Sequence, residues 1–253
     1  MSAFRVQRQT ILTNYRGINI QFVDFGGGVT SDSLFCDKEQ PIFDFYLHNK
    51  DRYRRALDIG ANVGVHSMLM ARSGWDVRAY EPDPETYKMA RTNIIRGNDG
   101  WDGFNGITII RSAVSDHSGR STFVRVKGNT TGSHLEGDKA PYGPLERFQV
   151  DVVDCRPLFD WADFAKIDCE GGEARILLTV RPEQRCEFMV EVGSEGAADA
   201  IFMHFRQMFP AVRMWAQQAD WREVVFRREM PTHHSHGALF IGREPPIREV
   251  TRC

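Results

Sequence analysis

The sequence predicts an α/β protein with a mostly parallel sheet and helices on both of its faces. Two observations support this fold class. From residue 51 onward, short apolar runs alternate with segments of helical periodicity. Four of the apolar runs end in an acid, at Asp58, Glu81, Asp168 and Glu191. Because ligands bind beyond the carboxyl ends of the strands in such sheets, the four acids indicate one shared site.

The length of 253 residues suits one sizeable domain preceded by an extension. We expect an N-terminal cap over residues 1–50 and the main domain over residues 51–253. A hydrophobic content of 42% and a charged content of 26% are ordinary for a globular protein. The net charge of −2 provides no electrostatic basis for binding nucleic acid, so no nucleic-acid partner is expected.

The cysteines and the apolar runs bear on the compartment. The five cysteines form no C-x-x-C pair and are interpreted as reduced thiols. The first ten residues lack the apolar segment of a signal peptide, and no apolar run approaches the roughly 20 residues that span a bilayer. We therefore expect a cytoplasmic protein without membrane contact.

The first half of the chain is assigned in order. The runs "FRVQRQTILT" and "INIQFVDF" are β-like, and residues 43–47 form a mixed stretch. "ALDIG" is the first strand of the main sheet, followed by a helix with Val65, Met68 and Leu69 on one face. "DVRAYE" is the second strand. Asp83 can cap the next helix, with Pro84 at its first position.

The second half continues the alternation. "ITIIRSAV" is predicted as the third strand, and "STFVRV" and "RFQVDVV" as a pair flanking a long loop, residues 128–145. "FAKID" and "CEFMVEV" are the fourth and fifth strands, each followed by a helix. "AVRMWA", "EVVFRR" and "ALFIG" close the chain as strand-like runs. Long loops inside compact domains are often functional, and we expect this one to form part of a lid over the acceptor.

The turn after the first strand indicates which cofactor is bound. A dinucleotide site needs G-x-G-x-x-G, whereas this chain has Gly60 and Gly64 with Asn62 between them and Asp58 just before. A carboxylate suits a cationic ligand better than a phosphate, and S-adenosylmethionine carries an ammonium and a sulfonium. Glu81 is placed to contact a ribose diol. The alternative is a strand–turn–helix corner whose glycines serve geometry alone.

The segments "LDIGANVGVHS", "AYEPDPETYKMARTNI", "SAVSDHSG", "FAKIDCEGGEARIL" and "FMVEV" resemble the successive motifs of the FkbM-type methyltransferase family. The resemblance covers roughly residues 57–192. It implies the Rossmann-like class I fold, S-adenosylmethionine as cofactor, and O-methylation of a sugar, glycan or natural-product hydroxyl. By position it implies that Glu81 holds the ribose. It also implies contacts to the methionine end from Asp58, Gly60, Asn62 and Gly64, and contacts near the adenine from Ser115 and Asp116.

Catalytic candidates follow the fourth strand. "KIDCEGGE" places Lys166, Asp168 and Glu170 on one side of the chain while it remains extended. A base next to a hydroxyl typically accelerates its reaction about 10²–10⁴-fold, and Asp168 is favoured over Glu170 for this role. Lys166 is favoured over a divalent metal as the cation that neutralises these acids and Glu191. The alternative is a structural ion-pair cluster that caps the helix from Glu173.

The histidines and two rival functions complete the predictions. His233, His234 and His236 are assigned to a solvated loop, with a role at the acceptor as the second interpretation. His66 is interpreted as a packed polar residue and His134 as a weak candidate for the base. One rival function is a methyltransferase acting on protein or RNA. The other is a methyltransferase-like fold that serves only as a binding module.

Overall fold

The computed structural model describes residues 9–24, 35–97, 106–217 and 221–247. Cys253 and the start of the first β-like run lie outside these ranges. The strands are β1 Gln9–Tyr15, β2 Ile18–Asp24, β3 Arg55–Ile59, β4 Asp76–Tyr80, β5 Ile107–Ile110, β6 Ala113–Ser115, β7 Gly119–Val126, β8 His134–Leu135, β9 Leu145–Asp154, β10 Phe164–Ile167, β11 Glu187–Glu191, β12 Arg213–Ala216, β13 Arg222–Glu223 and β14 Ala238–Gly242.

The α-helices of the described ranges are α1 Gln40–His48, α2 Val65–Arg72, α3 Pro84–Gly97, α4 Arg156–Trp161, α5 Glu173–Leu177 and α6 Glu195–Met208. Short 3₁₀ turns cover Thr130–Gly132, Arg227–Glu229 and His234–His236. The predicted cap of α3 is confirmed, because the Asp83 carboxylate accepts hydrogen bonds from the backbone N–H groups of Glu85 and Thr86. Within the described ranges, every helix is too short or too polar to cross a bilayer.

The main sheet has eight strands in the order β13-β12-β14-β11-β10-β3-β4-β5. Strand β3 pairs in parallel with both β4 and β10, and β10 pairs in parallel with β11. β14 pairs antiparallel with both β11 and β12, and the short β13 pairs antiparallel with β12. From β3 the chain builds outward through β4 and β5, and it later returns to the other side of β3 at β10. The order therefore reverses between β3 and β10, where doubly wound sheets bind their ligands.

Two apolar cores cover the two faces of the main sheet, because side chains alternate along each strand. Leu57 and Ile167 face a core that contains residues of α4, α5 and α6. Ala56 and Phe164 face a second core that contains residues of α1, α2 and α3. The predicted α/β class, a mostly parallel sheet with helices on both faces, is confirmed.

The N-terminal strands form an antiparallel hairpin that packs against the main domain. Ile20 and Phe22 belong to the same core as α1 and α2. The backbone N–H of Val23 also donates to the Asn93 side chain on α3, at 2.8 Å. Residues 43–47, which were predicted only as a mixed stretch, belong to helix α1.

The predicted third strand is two strands in two different sheets. β5 lies at the edge of the main sheet, whereas β6 pairs with β9 in a separate four-stranded sheet of order β6-β9-β7-β8. The chain changes sheets at Arg111 and Ser112, between the two strands. The antiparallel pairing of β7 with β9 on either side of the long loop is confirmed. The run "EVVFRR" is largely not a strand, because only Arg222–Glu223 pairs.

Candidate functional site

A cavity of about 500 Å³ opens at the carboxyl ends of β3, β4, β10 and β11. This is the edge at which the sequence places its four acids. The loop between β7 and β9, residues 127–144, covers one side of it. Its polar lining residues include Lys38, Glu39, Asn62, His66, Glu81, Asp83, Ser112, Thr130, Thr131, Lys139, Lys166, Asp168, Glu170, Glu191 and His234.

The turn after β3 brings the first and fourth core strands into contact. Gly60, Asn62 and Gly64 have positive φ angles of 82°, 48° and 85°. A Cβ atom added at Gly60 would lie 1.8 Å from the carbonyl oxygen of Asp168. No side chain can be accommodated at that distance, so glycine at position 60 is what permits the two loops to meet.

Glu81 lies at the end of β4 with its side chain buried at the wall of the cavity. One carboxylate oxygen accepts a hydrogen bond from the backbone N–H of Asn62 and the other from that of Asp83, each at 2.9 Å. Burial raises the pKa of this carboxyl to about 8. Each oxygen keeps capacity for one further hydrogen bond, as an acceptor when the carboxyl is ionised and, at one oxygen, as a donor when it is protonated. The group is therefore suited to a pair of neighbouring hydroxyls.

Four residues predicted for the cofactor, Asp58, Gly64, Ser115 and Asp116, do not line the cavity. Gly64 faces α3 instead, since an added Cβ would lie 3.5 Å from the Cβ of Ala90. Asp58 is fully buried beneath the floor, where it accepts a hydrogen bond from the Ser67 hydroxyl at 2.5 Å. Ser115 and Asp116 lie beyond the point where the chain enters the second sheet. Ser112, Ala113 and Val114 form the wall in their place. The shift has a physical cause, since the strand predicted to run through Val114 ends at Ile110 in the main sheet.

Lys166 forms the centre of a charged cluster at the end of β10. Its ammonium lies 3.1 Å from a carboxylate oxygen of Asp168 and 3.9 Å from one of Asp58. Burial lowers the pKa of this lysine, but the carboxylates of Asp168, Asp58 and Glu39 outweigh burial and raise it above its ordinary value. The lysine therefore stays charged and holds Asp168 at the cavity.

Glu170 and Glu191, the two remaining acids on this side, both have raised pKa values. Burial, reinforced by the charge of Asp168, raises the pKa of Glu170 to about 7 although Lys139 opposes the shift. Burial also raises the pKa of Glu191, again reinforced by Asp168. Both groups are therefore partly or largely protonated near neutral pH, and they can donate as well as accept hydrogen bonds.

The loop between β7 and β9 is attached to the segment after β10. Lys139 forms a 2.6 Å ion pair with Glu170, and Arg175 pairs with Asp138. A Cβ atom at Gly171 would lie 2.5 Å from the Asp138 carbonyl oxygen, so the two backbones are in close contact there. The loop thus closes one side of the cavity.

Glu173 has the structural role considered in the sequence analysis. Its carboxylate accepts hydrogen bonds from the backbone N–H groups of Cys169 and Gly171, at 2.9 and 3.0 Å. These bonds order the turn at the start of α5. Lys166, Asp168 and Glu170 form ion pairs, as the structural alternative expects, but they take no part in this cap.

Several cavity residues were not among the predicted site residues. Lys38 and Glu39 precede α1, and His66 belongs to the first turn of α2. His234 also reaches the cavity from the 3₁₀ turn after β13, as the second interpretation of the histidine segment allows. His134 is buried away from the cavity lining, with its ring Nδ1 2.9 Å from the Gly132 carbonyl oxygen. Of these residues, His66 could have been identified from the sequence, because it lies two residues after Gly64 in the turn predicted to bind the cofactor.

Metal and disulfide chemistry were also considered. In the ranges that the structure describes, no group of three or more His, Cys, Asp or Glu side chains is arranged to hold a metal ion. The four described cysteines, Cys36, Cys155, Cys169 and Cys186, are free thiols.

Comparisons with known proteins returned similarities of structure. No protein-family model matches the sequence, and no curated protein of similar sequence was found. The chain is similar to the methyltransferase FkbM from Methylobacillus flagellatus KT, with 14% identity and a TM-score of 0.47 over 74% of this chain. It spans only 43% of the length of that protein.

Two further solved structures illustrate the range of similar proteins. The human methyltransferase 10 domain containing protein has 14% identity and a TM-score of 0.43, over 83% of this chain and 84% of that one. A SAM-dependent methyltransferase from Agrobacterium tumefaciens has 10% identity and a TM-score of 0.48, over 93% and 70%. These values are low, so the function proposed below rests on the side chains of this chain.

Proposed function

We propose that the protein is an S-adenosylmethionine-dependent methyltransferase that methylates a hydroxyl of a sugar, glycan or other small metabolite. The observation that carries the proposal is the pairing of the Gly60–Gly64 turn with the buried carboxylate of Glu81 at one wall of the cavity. A turn of this spacing suits a ligand without phosphates, and a carboxylate at the end of the adjacent strand suits a ribose diol.

The residues on this wall fit a nucleoside. Glu81 is held by two backbone N–H groups with acceptor capacity left on both oxygens. Beside it, Val114, Phe123 and Leu135 provide an apolar surface for the adenine ring. When bound, S-adenosylmethionine supplies a methyl group that its sulfonium has already activated.

Other residues that line the cavity fit a polyhydroxy acceptor. Thr130, Thr131 and Glu191 provide hydroxyl and carboxyl groups for hydrogen bonds to an acceptor. Asp168 accepts the proton of the reacting hydroxyl, while the ammonium of Lys166 orients the carboxylate. Holding the two reactants in line can contribute up to roughly 7–11 kcal/mol to lowering the barrier.

The first experiment is calorimetric titration of S-adenosylhomocysteine into the wild type and into Glu81→Gln. We expect saturable binding by the wild type and at least an approximately tenfold loss in the variant. Glutamine replaces one acceptor oxygen with an amide donor, and a buried polar group left without its partner costs about 1–3 kcal/mol. Glu183→Gln is the matched control, since Glu183 is an exposed glutamate that pairs with Arg181 at the surface. Equal affinity of Glu81→Gln and the wild type, in folded protein, would remove Glu81 from the site.

A transfer assay then separates the rival functions. Sugars and glycans, RNA, and peptides are each offered with labelled S-adenosylmethionine. Transfer to a sugar hydroxyl supports the proposal, and transfer to RNA or peptide alone contradicts its acceptor class. Cofactor binding without transfer to any acceptor would favour a binding module.

A further inference from the structure

The position of Asp58 leaves the charged end of the cofactor without its predicted partner. Asp58 is fully buried and does not line the cavity. One of its carboxylate oxygens accepts a hydrogen bond from Ser67, and the other lies 3.9 Å from the Lys166 ammonium. A ligand in the cavity cannot reach it without displacing the floor. A primary ammonium group nevertheless requires acceptors, since it presents three donors and no acceptor.

Glu39 is a carboxylate that lines the cavity on the side of the turn after β3. It is the residue immediately before α1, in the segment outside the family resemblance. One of its oxygens lies 3.2 Å from Nε2 of His66, and Nδ1 of the same ring lies 2.9 Å from the hydroxyl of Tyr46. The Tyr46 hydroxyl holds the ring on one side, and Nε2 faces the Glu39 carboxylate on the other. That carboxylate oxygen is buried and no described residue donates a hydrogen bond to it, so it can accept one from a ligand.

The charge of Glu39 also differs from that of its acidic neighbours. Burial raises the pKa of this carboxyl, but His66 and the charges of Lys166 and Lys38 outweigh burial and bring it below its ordinary value. Tyr46 is fully buried, and burial raises the pKa of its phenol, so it remains a hydrogen-bond donor. Glu39 is thus ionised at neutral pH, whereas the pKa of Glu170 is about 7.

Asn62 presents a second acceptor on the same turn. Its backbone is left-handed, with φ of 48°, and its N–H donates to Glu81. The side-chain Oδ1 is buried, and no described residue donates a hydrogen bond to it. A buried acceptor without a donor is costly, which indicates that a ligand group satisfies it.

We propose that the Glu39 carboxylate and the Asn62 side-chain oxygen bind the α-ammonium of the methionine moiety, with His66 as a positioning residue for Glu39. The inference rests on the proposed function, because it concerns the same cofactor site. It assigns the methionine end of that site partly to the N-terminal segment rather than to the motif after β3 alone. Asn62 then contributes to both ends of the cofactor site. Its N–H orients the Glu81 carboxylate that would hold the ribose, and its side-chain oxygen would accept from the ammonium.

A pair of ligands isolates this contact. S-adenosylhomocysteine carries the amino acid moiety, whereas 5′-methylthioadenosine keeps the nucleoside and lacks the ammonium. In calorimetric titrations, Glu39→Gln is expected to weaken S-adenosylhomocysteine about tenfold or more, the equivalent of about 1.4 kcal/mol, and to leave 5′-methylthioadenosine within about twofold. Glu81→Gln weakens both ligands. Glu183→Gln changes neither.

The positioning role of His66 has its own test. Tyr46→Phe removes the hydroxyl partner of the ring while keeping an aromatic side chain, and it should lower affinity for S-adenosylhomocysteine by a smaller factor than Glu39→Gln. In the double variant Tyr46→Phe with Glu39→Gln, the losses should not add, because the hydroxyl acts through the carboxylate. Fully additive losses would overturn the positioning role.

The outcomes separate this inference from the proposed function. Equal weakening of both ligands by Glu39→Gln, or no weakening of either in folded protein, overturns the ammonium assignment while the wild type still binds. Failure of the wild type to bind S-adenosylhomocysteine overturns the proposed function and the assignment with it.

Discussion

On the β4 side of the cavity, the carboxylate of Glu81 is held by backbone N–H groups, whereas on the β10 side the acidic groups are held by other side chains. Asn62 and Asp83 fix Glu81 through their main-chain amides. Asp168 and Glu170 instead pair with the ammonium groups of two lysines. The carboxylate on the β4 wall is therefore oriented by the backbone, and those on the β10 wall are oriented by ion pairs between side chains.

This difference matches what each wall is proposed to bind. Backbone amides cannot change rotamer, so a group that they orient suits a ligand part that is always the same. The Lys139–Glu170 pair is partly exposed and can rearrange at modest cost, so this part of the β10 wall can adjust to acceptors of different shape. This difference between the two walls leads to three predictions, in addition to the binding tests above.

The largest effect is expected from Asp168→Asn on the β10 wall. We expect the rate of methyl transfer to fall about 10²–10⁴-fold, because the acceptor hydroxyl loses its base. Affinity for S-adenosylhomocysteine should stay within about threefold, because this ligand is proposed to bind the β4 wall, which the substitution leaves unchanged. Asp160→Asn, at an exposed aspartate paired with Arg181, is the control and should transfer normally.

Two results would contradict this role. A normal rate in Asp168→Asn would show that another group takes the proton. Activity that is lost on chelation and restored by Mg²⁺ would make the carboxylates metal ligands and would replace Lys166 as the neutralising cation.

The second prediction concerns the turn on the β3 side. Gly60→Ala should lower the free energy of unfolding by at least about 2 kcal/mol more than Gly74→Ala in denaturant titrations. Both glycines have positive φ, so both variants share the strain of about 1–2 kcal/mol for a left-handed residue. Only at Gly60 would the new methyl group meet backbone, at 1.8 Å from the Asp168 carbonyl oxygen, whereas no atom lies within 4 Å at Gly74. Equal losses in the two variants would show that the loops can separate at little cost.

The smallest effect is a pH dependence of stability from Glu170. Its pKa is raised from 4.5 to about 7 in the folded protein, chiefly by burial. Its contribution is complete below pH 4.5 and is lost as the pH rises to about 7, because folding then has to bury a charged group. Glu170→Gln should therefore flatten the fall of the unfolding free energy across this window, measured by denaturant titration at each pH. The exposed Glu136→Gln should leave the slope unchanged.

The core of the site was predictable because strand and turn signals are local. An apolar run that ends in Glu81, followed by a capped helix, predicts where that carboxylate lies in a parallel sheet. The same logic placed Lys166, Asp168 and Glu170 at the cavity. Asp58 also lies where the strand pattern predicts. Alternation of side chains alone, however, does not show whether its carboxylate lines the cavity or is buried beneath the cavity floor.

Contacts between distant segments could not be predicted in this way. The run "IFDFY" within α1 has apolar residues on both sides of Asp44 and shows no clear helical period, although all four of its apolar residues are buried. Glu39 reaches the cavity only because α1 packs beside His66, a tertiary contact without local periodicity. The change of sheets at Ser112 was missed for a related reason, since an apolar run does not show which partner each half pairs with.

The antiparallel pairing of β7 with β9 has a consequence for how this protein could diversify. Val126 and Leu145 are direct partners, so the covering loop leaves the sheet and returns to it at neighbouring points. Residues can be inserted or removed between them without shifting the register of either strand, and doubling the length of such a loop costs only about 0.6 kcal/mol of closure entropy. Over evolutionary time, the segment that covers this side of the cavity can therefore change in length while β7 and β9 keep their register.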